Sequence, residues 1–87
     1  MKQFPFDKRY EIEDASGVVE YYIDGDEYIR GQDGIPGYRI AGYEVYEHNA
    51  EAKLAGFLEG KHITTPDADI LLTILMINLR KIYLHKL

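Results

Sequence analysis

Between residues 8 and 24 apolar and polar side chains alternate with a period of two, and this constrains the fold more than any other feature of the chain. Tyr10 and Ile12 fall on one side of the segment Lys8 to Asp14, and Glu11 and Glu13 on the other. Ala15-Ser16-Gly17 supplies turn residues. Beyond it Val19, Tyr21 and Ile23 share one face, and Val18, Glu20, Tyr22 and Asp24 share the opposite one. Because a strand pleat repeats every two residues, each segment reads as a β-strand with one side in a core and one in water.

Asp24-Gly25-Asp26 marks a tight turn or bulge before a short strand over Glu27 to Arg30. Gly31 to Gly37 holds three glycines and a proline in seven residues and is a loop. Tyr38 to Glu47 then reads as one more strand, with Ala41, Tyr43 and Val45 together and Glu44 and Tyr46 opposite.

The second half reads as helical. Asn49 is a good N-terminal cap, Leu54, Phe57 and Leu58 have helical spacing, and Gly60 suits a C-terminal cap. A hairpin through His48-Asn49-Ala50 is the alternative. Further on, Thr65 caps, Pro66 fits a first helical position, and Asp67 and Asp69 complement the positive end of a helix dipole. This predicts a long helix to about Lys86. It carries two apolar stripes, one of Leu72, Leu75, Leu79 and Ile82, the other of Ile70, Ile74, Ile77 and Leu84. A helix apolar on more than one side is covered on more than one side. The second stripe is therefore the expected interface of a homodimer or larger assembly. The resulting expectation is an α+β fold in one domain over residues 1–87. A small antiparallel sheet of three to four strands fills the N-terminal half, covered on one face by a short helix and a long C-terminal helix. No internal repeat is evident.

Composition narrows the function classes. Without cysteine there is no disulfide framework, no thiolate chemistry and no zinc–cysteine site, and a small domain lacking such staples is expected in the cytoplasm. No apolar stretch has the length of a signal peptide or a membrane span. The net charge of −5 argues against direct binding to nucleic acid, which needs basic clusters. Two predicted helices also invite a DNA-binding helix-turn-helix, but Asp67 and Asp69 at the start of the second would repel phosphates.

Chemical motifs are weak. His48 lies near Glu44 and Glu47, but His48, His62 and His85 are separated and no metal-binding spacing accompanies them, so neither metal nor cofactor is expected. Asp24-Gly25-Asp26-Glu27 opens like a calcium-binding loop, yet Ile29 and Ile35 stand where the glycine and glutamate are required. Gly31, Gly34 and Gly37 lack the lysine and following helix of a phosphate loop. The single serine, Ser16, sits in a turn with no histidine beside it in sequence, and no enzyme is expected.

What remains is a surface. With the strands phased as above, the wetter face displays Glu11, Glu13, Glu20, Tyr22, Asp24, Glu44 and Tyr46. Tyrosines interleaved with acids suit a protein partner with a basic surface, since carboxylates steer such a partner and tyrosine supplies broad contact. In size and charge this is analogous to the small acidic inhibitors carried by phages and mobile elements. The expected function is protein binding, with a structural assembly subunit as the alternative.

Overall fold

A computed structural model describes residues 8–75. They form eight strands: β1 (Arg9–Asp14), β2 (Val19–Asp24), β3 (Tyr28–Gly31), β4 (Pro36–Ala41), β5 (Glu44–Glu47), β6 (Leu54–Glu59), β7 (His62–Thr64) and β8 (Ile70–Leu75). Each pairs antiparallel with the next, and β8 returns to β1 through Glu11↔Leu75, Ile12↔Ile74, Glu13↔Thr73 and Asp14↔Leu72. The sheet is thus a closed up-and-down barrel with no free edge.

This overturns the α+β expectation. Tyr38 to Glu47 is two strands, β4 and β5, folded back on each other at left-handed Gly42. The segment after Asn49 is a turn followed by β6, as the hairpin alternative has it. The expected C-terminal helix is, in its described part, the turn Thr65 to Asp69 and then β8; its remainder, from residue 76, lies outside the described residues.

Two ambiguities in the physics explain these corrections. A side-chain oxygen that accepts backbone N–H groups two to four residues on serves an isolated turn as well as a helix start. Asn49 Oδ1 accepts from the N–H of Glu51 (3.1 Å) and of Ala52 (2.9 Å), and Thr65 Oγ1 from that of Asp69 (3.2 Å). A short apolar run such as Ile70 to Leu75, broken only by Thr73, also fits either a buried strand or a buried helix.

The barrel is built from one bulged hairpin used four times. Ile12↔Tyr21, Ile29↔Tyr38, Val45↔Gly56 and Ile63↔Leu72 are equivalent pairs. One residue beyond each, the register slips and leaves an extra residue in the second strand: Glu20, Gly37, Ala55 and Leu71. A bulge bends its strand and increases local twist, which lets strands of four to six residues curl into a narrow closed ring. The chain is therefore an internal repeat in three dimensions.

The inward side chains fill the ring. Every strand contributes to a cluster of Tyr10, Ile12, Ile23, Ile29, Ile40, Val45, Leu58, Ile63, Leu72 and Ile74, most of it β-branched as pleated strands favour. No polar or charged residue is buried among the described residues. Such a core is a packed interior rather than a ligand chamber.

The two ends of the barrel differ. At one, left-handed Gly25, Gly42 and Gly60 make the turns β2–β3, β4–β5 and β6–β7. At the other, which we call the mouth, the four hairpin turns are braced by Asp14, Asp33, Asn49 and Thr65, each accepting a backbone N–H within its own turn.

Candidate docking surface

Five of the seven residues expected on one acidic face come together. Glu11, Glu13, Glu20, Tyr22 and Asp24 lie on the outer side of β1 and β2, with Glu11 opposite Tyr22 and Asp24 opposite Arg9. Glu44 and Tyr46 do not join them. They sit on β5, three strands from β2 in a ring of eight and so on the far side of the barrel. There the Tyr46 hydroxyl donates to Glu44 Oε1 at 2.5 Å, which holds the phenol proton more tightly than usual. A single flat sheet would have aligned all seven; closure separates them.

The residues expected on an oligomer interface scatter as well. Ile74 is fully buried in the core, Ile70 is 47% exposed at the mouth, and Ile77 and Leu84 lie outside the described residues.

The described residues carry fourteen acids and six bases, a net charge of −8. Four of the six bases are tied to an acid, three of them to one within four residues in sequence. Arg30 makes a two-pronged bond to Asp26 (2.8 and 3.0 Å), which holds that carboxyl below its ordinary range. Arg39 lies 3.9 Å from Glu27, and Lys53 lies 3.5 Å from Glu51. Arg9 reaches Glu11 at 3.3 Å and stacks 4.2 Å from the centre of the Tyr22 ring. Glu13, Asp14, Glu20 and Asp24 take part in none of these ion pairs, so the β1–β2 wall stays electronegative.

The histidines have structural neighbours. The His48 ring packs edge-on against Tyr28 at 5.4 Å, and His62 Nδ1 lies 3.2 Å from Thr73 Oγ1. His85 lies outside the described residues. Among the described residues no three histidine or acidic side chains converge as metal ligands.

The mouth holds what sequence reasoning missed. Val18, Val19, Ile35, Leu54 and Ile70 are exposed large aliphatics, and all stand at or just before the start of β2, β4, β6 or β8, where the chain leaves a mouth turn. They form an apolar girdle around one end. Inside it an open depression of about 310 Å³ is lined by Asp14, Ala15, Ser16, Tyr21, Tyr38, Leu71 and Leu72. The Tyr21 and Tyr38 rings meet edge to face at 5.9 Å. Burial pushes the Tyr38 phenol above its usual range, so it stays protonated. The only signal for this site in the sequence is the recurrence of tyrosine at equivalent positions 21 and 38, legible once the hairpins are aligned.

Comparison with protein-family models, curated proteins and solved structures finds no match.

Proposed function

We propose that this chain is a non-enzymatic protein-binding module that docks its β1–β2 wall on a basic surface of another protein, such as the nucleic-acid groove of an enzyme. The observation that supports this reading is the wall itself: Glu11, Glu13, Glu20 and Asp24 around Tyr22, on two adjacent strands of a closed barrel. Clustered carboxylates accelerate encounter with a basic partner, and a preordered surface loses little entropy on binding. The exposed Val18 and Val19 continue the wall toward the mouth and add the apolar contact a stable interface needs.

A photo-crosslinking residue placed at Tyr22 and, as a control, at Tyr46 on the far side tests the reading in the native cell. Adducts to a basic protein are expected from position 22 alone. Glu13→Lys with Glu20→Lys should lower their yield by about tenfold or more, since like charges across an interface cost several kcal/mol. Equal labelling from both sides, or labelling indifferent to charge reversal, would refute the docking wall.

A further inference from the structure

We propose that the depression at the barrel mouth is a socket for one long basic side chain, an arginine or lysine presented by the docking partner. Its stem would lie against Tyr21, Tyr38 and Leu71 and its charged head against Asp14. This deepens the partner-binding reading and rests on it for its biological setting.

The socket has one charged wall and otherwise apolar and aromatic ones. At Asp14 three donors converge on a single oxygen: Oδ1 accepts from the Ser16 N–H (2.9 Å), the Ser16 hydroxyl (2.7 Å) and the Val18 N–H (3.0 Å). These bonds hold the carboxylate in place and stabilise its charge. None of the six bases among the described residues lines the depression. The site thus offers a fixed negative charge beside two aromatic rings and two leucines.

That combination selects one ligand chemistry. A long basic side chain has an aliphatic stem that packs on apolar surface and a head that seeks a carboxylate. A guanidinium also stacks on aromatic rings, as Arg9 does on Tyr22 in this barrel. An anionic group would meet Asp14 and the net −8 of the described residues, whereas a purely apolar one would leave Asp14 without a counter-charge. The volume is at the lower edge of the roughly 300–1,000 Å³ of ligand pockets, and it is open to solvent. It suits a side chain delivered from outside. Val18, Val19 and Ile70, at the starts of the two strands flanking β1, give the residues around that side chain an apolar seat.

The test uses the full chain and needs no partner. N-acetyl-arginine and N-acetyl-lysine methylamides, with the uncharged citrulline and norleucine analogues, are titrated while the protein's resonances are followed. Saturable shifts are expected at Asp14, Tyr21, Tyr38, Leu71 and Leu72 with the two cationic probes, and at least about fivefold weaker binding with citrulline. Asp14→Asn keeps the turn's acceptor but removes the charge, and should abolish the preference for a cation while the amide spectrum stays native. Glu59→Gln, at the end of β6 opposite the mouth, should leave it unchanged. The socket is overturned if no saturable shift appears by about 50 mM probe, if citrulline or norleucine binds as well as arginine, or if Asp14→Asn binds arginine undiminished. A failed titration with position-22 adducts intact removes the socket alone. Loss of those adducts with the titration intact removes the docking wall instead.

Discussion

Of the glycines in the barrel Gly56 has the least room, and replacing it with alanine tests how the ring closes. Its backbone is not left-handed; what excludes a side chain is the neighbouring strand. A Cβ on Gly56 would fall inside the contact radius of the Thr64 carbonyl oxygen, 2.9 Å from that carbonyl's carbon and 3.4 Å from the Thr65 Cα. Backbone cannot swing aside as a side-chain tip can, so β7 would have to retreat from β6 by half an ångström or more, judged from the carbonyl carbon alone. The pairs Phe57↔Thr64 and Leu58↔Ile63 lie immediately beside the clash. Overpacking of this kind costs about 1–3 kcal/mol, and a ladder bond stretched past use about 0.5–1.5 kcal/mol. The total, about 2–4 kcal/mol, compares with roughly 4–13 kcal/mol expected for a domain of this size. At about 4–8 °C per kcal/mol the Tm of Gly56→Ala should drop by roughly 8–32 °C. Urea and thermal denaturation followed by circular dichroism measure it. Gly17→Ala is the internal comparison: its φ of +87° is left-handed, but no atom lies within 4 Å of the added methyl. It should cost only the conformational penalty, about 1–2 kcal/mol. If Gly56→Ala unfolds within about 0.5 kcal/mol of the parent, or proves the milder of the two, the close approach of β6 and β7 does not exist.

Two further outcomes follow from the turns and their charges. Ala68 holds a φ of +72° in the β7–β8 turn, so Ala68→Gly should raise the urea midpoint, stabilising by up to about 1 kcal/mol; an unchanged or lower midpoint contradicts this. The Asp14 carboxyl is held below its ordinary range by the Ser16 hydroxyl and the turn N–H groups, and that of Asp26 by Arg30. A carboxyl with a lower pKa folded than unfolded stabilises the fold above its unfolded pKa and loses that contribution as pH falls through the folded one. The stability gap between the parent and the double variant Asp14→Ala, Asp26→Ala should therefore hold from neutrality to about pH 5 and close below about pH 4. A gap undiminished at the acid end of a urea titration series contradicts it.

Strands β1 and β2 were legible because each has its own period-two pattern and a turn between them, with Tyr10 and Ile12 inward, Glu11 and Glu13 outward, then Ala15-Ser16-Gly17, whereas β4 and β5 merged into one apparent strand. The acidic wall was legible in part: Glu11, Glu13, Tyr22 and Asp24 share the outer side of β1 and β2 as their alternation implies, but the bulge at Glu20 turns Val19, expected inward, to the surface opposite Glu13. The fourfold repeat was hidden because the equivalent positions Tyr21, Tyr38, Gly56 and Leu72 share a place and not a residue type. The mouth depression was hidden for a related reason. Asp14, Tyr38 and Leu71 are far apart in sequence and meet only around a ring.

By itself the sequence determined the local matters: which side chains alternate, where the chain turns, and that acids outnumber bases. Asn49 and Thr65 brace a turn whichever element follows, because a capping hydrogen bond reaches only a few residues along the chain. Only the tertiary structure decided that Leu54 and Ile70 begin strands rather than lie within helices. It alone carried Glu44 away from Glu20. Both follow from the pairing of β8 with β1, a contact between residues some sixty positions apart that no local pattern encodes.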